Sequence, residues 1–277
     1  MATPPLPPAA PGDAPGFGSY GQAASAPPPA APPGGYGVGA GRGASWWGDA
    51  WRLFKRSPLI FIVDTILFVV AMVLLSIVPV IGQIAATLLA PVFTAGIAIG
   101  CREVARGGAL TVEHLVAGFG ERVSSLVLVG LFYLIGEIAI VVVCAALAFA
   151  LMGSAFLGLI SEGGGASIPD LWGAGLDVLL IVLIALALAL PLMMAYWFAP
   201  ALVVFRGDAP LDAMKNSLVA CLRNFVPFLV YGLVLIGLAI VASIPLGLGW
   251  FVLVPMIFAS IYTGYADIWR DILPPPA

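Results

Sequence analysis

The chain has 277 residues; 62% are apolar, only 9% are charged, and the net charge is −3. A soluble domain carries about 25% charged and about 45–50% apolar residues, so a water-soluble globular fold is excluded, and the bases are too few and scattered to hold nucleic acid. The small net charge selects no partner.

Met1–Ala44 holds eleven prolines, ten glycines and two charges, Asp13 and Arg42. That composition cannot build a packed core and reads as a disordered domain with polyproline-II stretches at Pro27-Pro28-Pro29 and Pro32-Pro33. It is either a plain solvated tail or a docking segment through which residues 1–44 meet a protein partner. It shows neither the basic start nor the short apolar run of a signal peptide, so the first span is expected to serve as its own insertion signal.

Ser45–Arg56 places Trp47, Trp51 and Phe54 on one helical face, with Asp49, Arg52, Lys55 and Arg56 on others. This pattern describes a helix lying among lipid headgroups. Ser57 to Cys101 then reads as a hairpin: a nearly uncharged run, a turn at Ile81-Gly82, and a second run up to Gly100. Six runs have the length of about 20 apolar residues that a hydrocarbon core of about 30 Å requires. They are Leu59–Val78, Gln83–Gly100, Leu126–Met152, Val178–Phe205, Phe225–Ile244 and Leu248–Ala266.

The linkers between these pairs repeat the amphipathic device. In the first, Thr111 is a candidate N-cap, followed by Val112, Leu115, Val116 and Phe119 on one face. In the second, Pro210 opens a helix with Leu211, Met214 and Leu218 on a shared face. Prolines at Pro91, Pro200 and Pro255 in the returning spans, and at Pro79, Pro191 and Pro245 at the turns or their edges, suggest a threefold internal repeat with kinked helices. The expected fold is an all-α membrane protein with six transmembrane helices as three hairpins, each preceded by a short cytoplasmic amphipathic helix. Residues 45–270 form the membrane domain, and residues 271–277 are read as a disordered end.

All eleven Lys and Arg fall on one side of these spans: Arg42, Arg52, Lys55, Arg56, Arg102, Arg106, Arg122, Arg206, Lys215, Arg223 and Arg270. The opposite loops carry none; the longest, Gly153–Leu176, holds only the acids Glu162 and Asp170. By the positive-inside rule both termini are expected in the cytoplasm.

Inside the spans, Glu137 lies about 16 Å deep, near the midplane. An acid there costs about 2.5–3.5 kcal/mol on insertion scales and needs a partner or a proton. Tyr133, one turn earlier, is a candidate donor. Glu137 and Tyr133, with Asp64 nearer the interface and able to turn back toward Arg56, make up a candidate intramembrane ion or proton site. The competing reading of each is structural. His114, the only histidine, reads as a surface residue, and Tyr196, Trp197 and Phe198 as packing between helices. Cys101, Cys144 and Cys221 lack metal-site spacing and read as small buried residues. No HExxH, phosphate-binding glycine loop, GxSxG or carboxylate cluster occurs, so no catalytic residue, metal or cofactor is assigned and the chain is not read as an enzyme.

Several stretches carry a resemblance: Trp51-Arg52-Leu53-Phe54-Lys55-Arg56-Ser57-Pro58, Leu88-Leu89-Ala90-Pro91-Val92-Phe93, His114-Leu115-Val116-Ala117-Gly118-Phe119, Gly130-Leu131-Phe132-Tyr133-Leu134-Ile135-Gly136 and Ala220-Cys221-Leu222-Arg223-Asn224-Phe225. Through them the chain resembles a family of proteobacterial inner-membrane proteins named after a Burkholderia locus tag. The resemblance covers about Ser45–Asp267. It implies the architecture and the bacterial inner membrane as compartment, and no activity. More distantly, the three-hairpin plan is similar to the membrane domain attached to some bacterial glycerophosphodiesterases, without their catalytic domain. Two functions follow as expectations. One is a scaffold, lipid-organising or partner-binding module in contact with membrane lipids. The other is a small transporter or channel using Glu137.

Overall fold

A computed structural model describes residues 31–161 and 168–274; the expectations for residues 1–30, the loop acid Glu162 and the last three residues lie outside it. The described residues form helices without strands: α1 (Arg42–Arg56), α2 (Pro58–Ser76), α3 (Ile81–Ala105), the single turn α4 (Glu113–Val116) with a short 3₁₀ extension, α5 (Val123–Ser161), α6 (Ile168–Trp197), α7 (Ala199–Arg206), α8 (Pro210–Arg223), α9 (Phe225–Ser243) and α10 (Trp250–Trp269). Among the described residues, six helical stretches are long and apolar enough to cross a membrane: Pro58–Ser76, Ile81–Ala105, Val123–Leu151, Gly175–Arg206, Phe225–Ser243 and Trp250–Trp269.

The spans are buried unequally. Half of the apolar window of α3 and 61% of that of α10 are buried, against 17% for α2, α5 and α9 and none for the α6–α7 span. The core lies toward the end that carries the arginines, here the basic end. Trp46, Leu53, Phe198, Leu202, Tyr262, Tyr265 and Ile268 are almost fully buried there.

The turn between α2 and α3 comes slightly earlier than the sequence suggests, at residues 77–80. Gly82 lies in the first turn of α3, where a Cβ would stand 1.7 Å from the Leu75 carbonyl oxygen, so its lack of a side chain lets the two helices close up. Pro91 sits inside α3 and cannot donate to the Thr87 carbonyl. Gly130 of α5 lies against that point; a Cβ on it would be 2.8 Å from the same carbonyl oxygen. Pro191, expected at a turn, is instead inside α6, because the fourth span runs unusually far.

The break in that span comes at Phe198, between α6 and α7. Ser217 of α8, fully buried, enters it. The Phe198 N–H donates to Ser217 Oγ at 2.9 Å, and the Ser217 hydroxyl donates to the Met194 carbonyl at 2.6 Å. One hydroxyl thus stands in for the backbone bond that an unbroken helix would make between these groups. The buried face of α8 is Ala213, Met214, Ser217, Ala220 and Cys221, and Leu211, expected on it, is exposed. Small residues allow α8 to lie close to α6.

Helix α1 also differs from expectation. Its stripe is Trp46, Ala50 and Leu53, flanked by Trp47 and Phe54, all buried in protein against α9 and α10, while Trp51 is exposed. A Cβ at Gly43 would be 1.9 Å from the Pro227 carbonyl oxygen. Asp49, expected on a solvated face, is buried beside Arg52 and Arg42. The aromatic stripe of α1 is therefore buried against protein at the basic end. In the next linker Thr111 makes no side-chain cap. Its carbonyl accepts the His114 N–H at 3.0 Å, and of the expected apolar face only Leu115 is buried.

The ordered region begins before Ser45. Residues 31–41 form a strap across α8 and α10. The Tyr36 N–H donates to the Ile268 carbonyl at 2.8 Å. The buried Asn224 side chain takes the Val38 N–H at 2.8 Å and gives to the Tyr36 carbonyl at 3.1 Å. The Arg270 guanidinium lies 3.9 Å over the Tyr36 ring. At the other terminus Asp271 pairs with Arg102 at 3.1 Å, the Tyr262 hydroxyl donates to the Ile272 carbonyl, and Pro274 is buried. The disordered domains read over residues 1–44 and 271–277 therefore give up residues 31–44 and 271–274, because backbone groups in low-complexity sequence find side-chain partners that only the fold brings near.

Ser217→Ala leaves the Phe198 N–H and the Met194 carbonyl without their bridge and is expected to cost about 1–3 kcal/mol in a reversible detergent unfolding titration. Asn224→Ala frees the strap; trypsin cleavage after Arg42 should speed up about tenfold, the equivalent of about 1.4 kcal/mol, while the six spans stay inserted.

Candidate functional site

Polar side chains inside the described spans are few, and one group of them gathers beside α3. α5 carries Tyr133 and Glu137 one helical turn apart, with the phenol and the carboxyl close to each other. The Tyr133 ring lies 4.8 Å from that of Tyr196 on α6, tilted by 49°. Tyr196 lies close to the Thr94 side chain on α3. The Thr94 hydroxyl donates to the Ala90 and Pro91 carbonyls at 3.0 and 3.1 Å.

The result is a polar line, Glu137–Tyr133 then Tyr196–Thr94, ending where Pro91 interrupts α3. A groove of about 370 Å³ opens beside it, with Ser76, Gln83, Thr87, Tyr133 and Tyr196 as polar lining and Phe68 among its apolar walls. Glu137 is half-buried and is not part of that lining. Chemically, the line can hold a proton or orient a hydrogen-bonding group. It has no cation beside it to make an ion pair.

The structure brings Tyr133 and Glu137 together and sets Asp64 apart. Asp64 is 3% exposed on α2. It does not turn to Arg56, whose guanidinium donates instead to the Val104 carbonyl at 2.8 Å. Its Oδ1 has no hydrogen-bond partner among the described residues. His114, expected at the surface, is half-buried with its Cβ on Gly100. Cys101 and Cys221 are buried and Cys144 half-buried.

Sequence reading passed over Thr94 as a functional residue and took Tyr196 as packing. The signals were present: Thr94 follows Pro91 by three residues, within reach of the carbonyls around the kink, and Tyr196 stands one turn before Pro200. A threonine or tyrosine that close to a proline inside a span is a candidate partner for disturbed backbone.

At the basic end the charges form structural pairs. One oxygen of Asp267 takes both Arg42 Nε at 2.8 Å and Trp46 Nε1 at 2.9 Å, joining α1 to α10. Burial pushes the Asp49 carboxyl above its usual range, against the pull of Arg52 and Arg42. The hydrogen bond to Asp267 holds the Arg42 guanidinium above its own.

A double-mutant cycle between Tyr133→Phe and Glu137→Leu is expected to give a coupling of about 0.6–1.7 kcal/mol by unfolding titration, the range of side-chain hydrogen bonds between groups inside membranes. A coupling near zero would mean that the pair is not formed in lipid.

No family model and no solved structure matches the chain. Over 220 residues it is 32% identical to "Probable inner membrane protein BTH_II0599" of Burkholderia thailandensis, an alignment covering 74% of this chain and 76% of the relative. With its six apolar helices, the chain belongs to the family of this Burkholderia inner membrane protein.

Proposed function

We propose that the protein is a non-enzymatic organiser of the inner membrane, in which a packed cap at the basic end holds six spans whose outer faces receive lipid or a partner's helices. The observation that carries this reading is the contrast in burial. α3 and α10 are the only spans buried over half or more of their apolar windows, and the α6–α7 span buries none of its own. Faces left bare to this extent in a folded chain are surfaces for other apolar molecules. In this reading both termini are cytoplasmic, following the eleven bases. In this reading the proline- and glycine-rich residues 1–30 are a docking segment for a cytoplasmic partner.

A small transporter or channel is the second reading. It is favoured by one observation, the polar line of Glu137, Tyr133, Tyr196 and Thr94 beside a groove with five polar side chains.

Water at Glu137 separates the two. With Cys101, Cys144 and Cys221 replaced by alanine and Glu137→Cys introduced, a membrane-impermeant thiol reagent is applied from each side, with a cysteine in an exposed loop as control. The organiser reading expects the control to react fully and position 137 to stay unlabelled. Labelling from either side overturns it in favour of the transporter.

A further inference from the structure

The stripe of α1 is buried, but its last turn leaves other side chains open. Trp51 is 42% exposed, Lys55 and Arg56 are exposed, and Leu59, the second residue of α2, is 69% exposed. The apolar span of α2 begins at Pro58, so this corner stands where the hydrocarbon ends.

The donors of the corner are unspent. The indole N–H of Trp46 donates to Asp267, that of Trp47 to the Tyr231 carbonyl and that of Trp250 to Ser243, whereas Trp51 Nε1 has no partner among the described residues. The Trp51 ring is held in place by stacking on Phe54, with centroids 5.6 Å apart. Lys55 Nζ lies 6.0 Å from the centre of that ring and has no ion pair among the described residues. Arg56 gives one guanidinium nitrogen to the Val104 carbonyl at 2.8 Å. That bond fixes the side chain near the end of α3 and leaves its remaining N–H groups free. The acids closest in sequence to these groups are turned elsewhere: Asp49 pairs with Arg52 and Arg42, and the Glu103 carboxyl lies against Gly108. Two cations and an indole N–H are thus gathered at the membrane boundary with no anion of this chain to answer them.

Below the corner the surface becomes wholly apolar. A groove of about 260 Å³ runs between α2 and α10, with Ile62, Ile66, Val69 and Val70 on one side and Trp250 and Phe251 on the other. The Thr65 hydroxyl, which also lines it, is spent on the Phe61 carbonyl at 2.8 Å. Leu59 stands three residues before Ile62 and seven before Ile66, so it continues this face of α2 up to the corner. At 1.5 Å per residue the groove lies about 6–18 Å below Pro58, the depth of the acyl chains of one leaflet in a hydrocarbon core of about 30 Å.

We propose that the corner binds an anionic phospholipid of the leaflet at the basic end, with its phosphate on Trp51, Lys55 and Arg56 and one acyl chain in the groove between α2 and α10. Ammonium and guanidinium groups make charge-assisted hydrogen bonds to phosphate. An indole at the boundary gives its N–H to the polar side and keeps its ring on the apolar side. A zwitterionic lipid brings its own cation to Lys55 and Arg56, so the corner selects by net charge. The site deepens the organiser reading and rests on it for one point, that lipid and not a partner's helix covers this face of α2.

Native mass spectrometry of the full-length protein in detergent tests this, with phosphatidylglycerol or phosphatidylethanolamine of the same acyl chains added in steps. The expected result is a single phosphatidylglycerol bound about tenfold more tightly than phosphatidylethanolamine. Lys55→Gln lowers that preference about fivefold, the share of one base near an anionic surface. Lys215→Gln, which removes an exposed base of α8, leaves it unchanged. Ile66→Trp fills the groove without altering charge and weakens both lipids alike. Four outcomes overturn the site: equal binding of the two lipids by the wild type, an equal loss in Lys215→Gln, displacement of the lipid by glycerol phosphate at the same concentration, or a second copy of the chain bound in place of lipid. Lys55 is exposed and its one side-chain contact is with the Trp51 ring, so its substitution leaves the fold intact. Labelling at position 137 overturns the organiser reading separately and leaves the preference for phosphatidylglycerol as it is.

Discussion

The hydroxyl of Ser217, set between the Phe198 N–H and the Met194 carbonyl, is the interaction on which the rest of the arrangement depends. Hydrocarbon offers a broken helix no water, and each unpaired backbone group there costs several kcal/mol. A span can therefore bend only where another element brings the missing partner. At Phe198 that element is α8, and supplying the hydroxyl fixes α8 against α6 and α7. At Pro91 the neighbouring helix comes close for a different reason: Gly130 has no side chain, and a Cβ there would stand 2.8 Å from the Thr87 carbonyl oxygen.

The division between packed cap and open spans has a related origin. At the basic end water is present, and apolar burial, buried ion pairs and aromatic stacking all favour compaction. Trp46, Asp267 and Arg42 lock α1 to α10, and Trp47 stacks on Tyr231 with centroids 4.8 Å apart. Deeper in the membrane lipid tails are as apolar as leucine, so there is no comparable force to close α2, α5, α6 and α9 over their neighbours. α3 and α10 are the most buried of the described spans.

α3 is also where the polar chemistry converges. The Glu137 line ends on it at Thr94, three residues after the proline, and the α4 loop rests against Gly96 and Gly100. Gly96 and Gly100 let the loop backbone approach. A helix with bulky residues at these positions would keep a similar hydropathy and lose that contact.

Much of this was legible in the residues. Hydrocarbon thickness imposes a minimum length, so the six spans could be counted from composition, and each differs from its expected bounds by only a few residues. That Tyr133 and Glu137 share a face of α5 was equally legible, because residues four apart on a helix are neighbours on its surface. The burial of Asp64 was not: it depends on which helix packs against α2, and Arg56, its expected partner, donates to the Val104 carbonyl instead. Nor was the burial of α1, since an aromatic stripe looks alike whether it meets lipid or protein. The strap at residues 31–41 was hidden for the same reason, as its order rests on Asn224, some 186 residues away along the chain. By itself the sequence determined which segments enter the membrane and where the bases stand, because these are local matters of length, hydropathy and charge. Only the tertiary structure decided which polar groups meet, because partners inside a membrane are chosen by close approach between distant helices, and close approach depends on glycines, prolines and single hydroxyls that leave almost no mark on hydropathy.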